Sequence, residues 1–263
     1  MEVDRVDGRT PNQLRPLTCS CNVLNRAHGS ARWSQGDTIL LAAVYGPKAG
    51  TRKNGNPEKA SIEVIWKPKT GQIGKEEKEY EMILERTLQS ICLLTVNPNT
   101  TTSIILQVVN DDGAVSFLEN YVMFKMTYLT KKVQLLPSAI NAASAALLDA
   151  GIPLKHLAVA ISCGLEESGS VLLDPTKLEE QKMKAFAYLV FPNSVASILP
   201  EASLQVEGEL LEHGMITSVT HGVMLVDSYL HCLERGRSAS AKMSDFLRRS
   251  LQSRVPNDLP KTG

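Results

Sequence analysis

Apolar residues change their spacing several times along this chain, and each change marks an element. Thr18–Leu24 and Thr38–Tyr45 are short apolar runs separated by the turn signals His28-Gly29-Ser30 and Gln35-Gly36-Asp37. Ile39 to Val44 is nearly all apolar, which predicts a strand buried on both faces. Gly46–Ala60 carries three glycines, two prolines and an Asn54-Gly55 pair, so it reads as a long hairpin loop. In Ser61–Lys67 the residues Ile62, Val64 and Trp66 share one strand face. From Glu76 to Leu94 the spacing turns helical, with Tyr80, Ile83, Leu84, Leu88 and Ile91 on one side, and Asn97-Pro98-Asn99 stops it.

The β-branched stretch Thr102–Val109 predicts a strand, and Asp111-Asp112-Gly113 a turn. Ser138–Asp149 predicts a helix with Ser138 as N-cap and Gly151 and Pro153 beyond its end. Its alanines, Ala139, Ala142, Ala143, Ala145 and Ala146, would let it lie close on a sheet. His156–Cys163, Val171–Leu173, Ala185–Phe191 and Val195–Val206 read as strands. Glu209–Arg235 reads as a long amphipathic helix in which Gly222 marks close packing, and 238–250 as a short basic helix. Strands and helices mix without strict βαβ alternation. The prediction is one α+β domain over 1–250, with mixed sheets packed against helices, and a flexible tail over 251–263.

Composition narrows the classes of function. The 263 residues carry 28 Lys plus Arg and 28 Asp plus Glu, so a globally basic nucleic-acid binder is excluded while a local basic surface is not. Local charge does depart from balance. Residues 48–75 hold seven basic side chains, Lys48, Arg52, Lys53, Lys59, Lys67, Lys69 and Lys75, against Glu58 and Glu63. A glycine- and asparagine-rich loop carrying Arg52-Lys53 could reach phosphates; a solvated hairpin is the alternative. The five cysteines follow no zinc pattern, and the five histidines show no HxxxH or HExxH spacing, so no metal site is expected. The first sixteen residues have no apolar core. The expectation is therefore no signal peptide, reduced thiols and an intracellular setting, and no apolar run is long enough for a membrane span.

One set of motifs falls in a telling order: Asp7-Gly8-Arg9, Gln13-Leu14-Arg15-Pro16, Gly29-Ser30-Ala31, Gly36-Asp37-Thr38, Val44-Tyr45-Gly46-Pro47, the Asp112-Gly113 turn, the alanine-rich helix and Leu173-Asp174. In that order they resemble the RNase PH-type phosphorolytic exoribonucleases, and most closely the RNase PH-like subunits of the eukaryotic exosome ring. The resemblance covers about residues 4–250. It implies an RNase PH domain of the ribosomal protein S5 domain 2-like fold. It also implies a ring with other RNase PH-like subunits and cap subunits, RNA as ligand, and a nuclear, nucleolar and cytoplasmic location. The implied role is 3′-to-5′ RNA processing and decay, including rRNA maturation.

Phosphorolysis needs a phosphate cradle, cations along the RNA backbone and an acid for the leaving oxygen. The resemblance places the cradle at Gly113 and Ser138, but the family's arginine there is absent and Pro137 removes an N–H donor. It places the first acid on Asp174, with a turn residue before Pro175 as the plain alternative. The second acid falls on Phe186. Arg86 matches one RNA-holding arginine of the family helix, and the other falls on Gln89. Arg86 has no acidic neighbour one turn away, so a solvated arginine is its alternative.

Ala114–Gln134 departs from the family as an insertion beside the cradle. Phe117, Tyr121, Phe124 and Tyr128 would share one helical face of it. The stripe suits a helix packed on the body or on a partner. An aberrant transcript that leaves a poorly folded chain is a further reading. These readings predict a non-catalytic or weakly active ring subunit without cofactor. The alternative is an active phosphorolytic or metal-assisted nuclease working as a homodimer, with inorganic phosphate as co-substrate if it is phosphorolytic.

Overall fold

The computed structural model describes residues 5, 7–49, 57–111, 135–193 and 214–252. Strands β1 (Leu17–Cys21), β2 (Gly29–Gln35) and β3 (Thr38–Ala49) form an antiparallel meander. β2 falls where the sequence reading found only turn signals. Its own alternation explains it: Ala31, Trp33 and Gln35 are buried, Arg32 is exposed and Ser34 half-buried. Gly36-Asp37 closes the hairpin, with Gly36 at φ +59°. The predicted loop begins later than Gly46, because Lys48 and Ala49 resume pairing with Thr101 and Thr100 after a register shift.

β4 (Ser61–Lys67), helix α1 (Lys75–Ile91) and β5 (Thr100–Asn110) make a crossover unit in which β4 runs parallel to β5. The first sheet has the order β1-β2-β3-β5-β4. Ile62, Val64 and Trp66 are buried as their alternation predicts, against Tyr80, Leu84 and Leu88 of α1.

Helix α2 (Leu135–Asp149) lies between the sheets, packed on β2 and β3 on one side and β6 on the other. Its five predicted alanines are all fully buried. The helix is already formed at Leu135, so Ser138 sits inside it and is not its N-cap. Leu135 and Leu136, 3% and 0% exposed, are core residues and carry the helix further toward its N-terminus. A Cβ on Gly29 would meet the backbone nitrogen of Ala150 at 2.2 Å, so β2 approaches the end of α2 only because that residue is glycine.

The second sheet is antiparallel, in the order β7-β6-β8-β9. It is built from β6 (Ala158–Glu166), β7 (Val171–Leu173), β8 (Met183–Pro192) and β9 (Thr217–Gly222), with the short helix α3 (Lys177–Glu180) before β8. Helix α4 (Val226–Gln252) packs across β6 and β8. The predicted helix over Glu209–Arg235 is corrected here. Thr217–Gly222 pairs with β8, and Gly222 takes φ +88°, which no helix accommodates. The close packing at Gly222 does hold, since a Cβ there would lie 2.5 Å from the Lys184 carbonyl. The predicted basic helix over 238–250 is the later part of α4. The strand expected at Val195–Val206 and the insertion at 114–134 lie outside the described residues.

All five cysteines are free thiols. Among the described residues no helix is long and apolar enough to cross a membrane, and no group of His, Cys, Asp and Glu could hold a metal ion.

Candidate functional site

Three arginines from the N-terminal arm converge on the loop that leaves β7. The arm is tied to it by the Leu173 N–H, which donates to Pro11 O at 2.9 Å. Arg5 grips Glu179 in a two-pronged pair, Nε to Oε1 at 2.8 Å and Nη2 to Oε2 at 2.7 Å. It also donates to the carbonyls of Leu173 and Asp174, at 2.9 and 3.0 Å. Arg9 bonds Asp7 through Nε and reaches the Asp174 carbonyl at 3.2 Å. Arg15 donates from Nε and its backbone N–H to Asp174 Oδ2, and from Nη2 to Oδ1 at 2.7 Å.

Asp174 is fully buried with φ +48°, a left-handed conformation that Asp tolerates better than most residues. Burial pushes its carboxyl up, but the Arg15 charge and the hydrogen bonds from Arg15 and Gln35 outweigh that and hold it below the usual range. Glu179 is lowered in the same way: burial opposes, while bonds from Arg5 and from the Thr176 backbone prevail. Those bonds also build α3, because Thr176 caps it and the Glu179 carboxylate accepts from the Thr176 N–H at 2.7 Å. Three buried arginines thus face Asp7, Asp174 and Glu179, and the cluster closes electrically.

Gln35 links this cluster to the sequence-predicted cradle. Its side chain bonds Asp174, and its Oε1 accepts from Ser138 Oγ at 3.3 Å. Asp174 and Ser138 are therefore brought together, but inside the core, with Ser138 only 1% exposed. Gly113, Arg52 and Lys53 lie outside the described residues.

Arg86 stands apart on the exposed face of α1, and among the described residues it has no carboxylate partner. Gln89, on which the resemblance sets the other arginine, donates to Glu85 at 3.2 Å within the same helix. Lys48, Lys59, Lys67, Lys69 and Lys75 of the basic stretch are all exposed. Lys69 bonds Asn110, and Lys48 lies 5.3 Å from the centre of the Tyr45 ring.

Two adjacent acidic residues, Glu179 and Glu180, escaped the sequence reading. Glu180 is 8% exposed and lies close enough to Tyr80 of α1 and Tyr188 of β8 to raise both phenols, although burial is the larger cause in each case. Phe186, on which the resemblance sets the second acid, is half-buried on β8. The tandem Glu179-Glu180 between Asp174 and Phe186 was the available signal, since one of two adjacent acids can serve the fold while the other faces elsewhere.

Comparison with known proteins places these features. The family model described as "3′ exoribonuclease family, domain 1", RNase PH, matches residues 13–153. The exosome complex exonuclease RRP46 homolog of Arabidopsis thaliana is 66% identical over 252 residues, covering 96% of this chain and 97% of that protein. The protein of the same name from Oryza sativa subsp. japonica is 62% identical over 259 residues, covering 98% and 100%. The crystal structure of rice Rrp46 superposes with a TM-score of 0.77 at 61% identity, covering 94% of this chain and 100% of that one. An Archaeoglobus fulgidus exosome with RNA bound to the active site matches in fold, with a TM-score of 0.68 at 16% identity over 92% of each chain.

Proposed function

The chain belongs to the RNase PH family of 3′ exoribonucleases, and from that premise we propose that it is an RNase PH-like subunit of an RNA exosome ring. Its work is to guide RNA during 3′-to-5′ processing and decay, beside other ring and cap subunits, in nucleus and cytoplasm. Two near-full-length relatives named as exosome proteins support the assembly.

The observation that carries the non-catalytic reading is the state of Asp174. Its carboxylate is buried, ionised and bonded through both oxygens to Arg15. An acid of that kind has no proton to give a leaving oxygen, so its role is to hold the arm on the sheet. Ser138 is engaged by Gln35 and serves the same packing. Arg86, exposed and without a carboxylate partner among the described residues, is the residue best placed to meet an RNA phosphate.

The test is to incubate the purified chain with a 3′-tailed RNA, with and without inorganic phosphate. Bound RNA without release of nucleoside diphosphates is the expected result. Phosphate-dependent release would overturn the non-catalytic reading. Recovery of a tagged chain without other exosome subunits would overturn ring membership.

A further inference from the structure

Cys163 of β6 and Cys232 of α4 meet in the second core, both fully buried and both reduced. Cys163 Sγ donates to the Cys232 carbonyl oxygen at 3.6 Å, and both side chains belong to the same buried cluster. The Cys163 thiol is also close enough to the Cys232 sulfur to favour the Cys232 thiolate, with Cys163 keeping its proton. That proximity lowers the Cys232 thiol, burial opposes it, and Arg235 one turn further along α4 adds to the lowering; the net direction is down. Arg235 is fixed there by its bond to the Val171 carbonyl.

We propose that Cys163 and Cys232 are an oxidation site, closed by peroxide into a disulfide that fastens α4 to the second sheet. The Cys232 thiolate attacks hydrogen peroxide, giving a sulfenic acid and hydroxide. The Cys163 thiol then condenses with it, the S–S bond forms and water leaves. Two thiols lose two electrons and the peroxide gains them. Peroxide is water-sized, and Cys232 lies near the start of α4, where Val226, Leu230 and His231 are exposed, so local opening of that end admits it. The link spans 69 residues, so it confines the unfolded chain strongly.

The experiment treats the folded full-length chain with hydrogen peroxide, blocks remaining thiols by alkylation, and maps peptides without reduction. The expected product joins the Cys163 and Cys232 peptides, and the melting temperature rises by about 5–10 °C until a thiol reductant is added. In Cys163→Ala the link is lost and a sulfenic acid at Cys232 is trapped by dimedone. The wild-type peptide map stands whether or not that variant folds. The proposal fails if both residues are still alkylated once the treated chain is unfolded, or if they join only when peroxide is added in denaturant.

Discussion

The Asp174 carboxylate meets Arg15 at 2.7 Å in a site from which solvent is excluded, and removing either charge strands the other. Asp174→Asn should therefore cost about 3–5 kcal/mol of stability, read as a lower urea midpoint with unchanged slope. Asp7→Asn should cost under about 1 kcal/mol, because Asp7 keeps 34% of its side chain in solvent. An Asp174→Asn variant as stable as the parent would contradict the tether role. The pH dependence follows from the same charges. Asp174 and Glu179 are both lowered in the folded chain, so the unfolded chain takes up protons first as the solution is acidified. Their contribution is complete above the ordinary carboxylate range, about pH 4–4.5. It is lost progressively as pH falls through that range and the folded values below it. Denaturation midpoints measured between pH 6 and pH 3 should fall more steeply for the parent than for Asp174→Asn. Sequence alone offered Asp174 as an acid by resemblance or as a turn residue before Pro175, and not as a buried ion-pair partner, because Arg5, Arg9 and Arg15 lie some 160 residues away and no local spacing betrays the pairing.

Single glycines decide how closely the elements approach. Gly29→Ala would drive a methyl into the backbone at Ala150, and Gly222→Ala would add left-handed strain to a 2.5 Å contact with Lys184 O. Each should destabilise by at least about 1–3 kcal/mol, measured by thermal or urea unfolding. Gly214, where nothing lies within 4 Å, should tolerate alanine. The short helix α3 depends on its cap, so Thr176→Ala should cost about 1 kcal/mol and loosen the loop that carries Glu180. Most elements were legible where one face is buried, as in β4 with Ile62, Val64 and Trp66, or where helical spacing is sustained, as in α1. The failures have a common cause. In β9, the i, i+4 spacing of Leu211, Met215 and Val219 imitates a helix, while the hydrogen bonds that make Thr217–Gly222 a strand come from distant β8. In β2 the turn residues at both ends hid a strand whose inward face includes a polar side chain, Gln35, that answers to Asp174 and Ser138.

At the scale of the whole molecule, charge separates into two zones with different duties. Around Asp174, arginines and carboxylates cancel inside the fold and offer nothing to a polyanion. On the outside, Arg86 on α1 and the lysines flanking β4 remain solvated, in a chain whose total charge is zero. RNA held by such a surface releases counterions in proportion to the phosphates neutralised, so its affinity must fall as salt rises. If Arg86 holds one phosphate, Arg86→Ala should reduce the slope of log affinity against log salt by about 0.7 for single-stranded RNA, with little dependence on base sequence. Arg15→Ala should instead lower stability sharply and leave that slope unchanged in whatever fraction stays folded. The two variants together discriminate between the zones, because one changes the salt dependence of binding and the other changes the unfolding midpoint. A salt slope unchanged by Arg86→Ala, measured by fluorescence anisotropy with a labelled oligoribonucleotide, would move the RNA path away from α1 and toward the lysines beside β4.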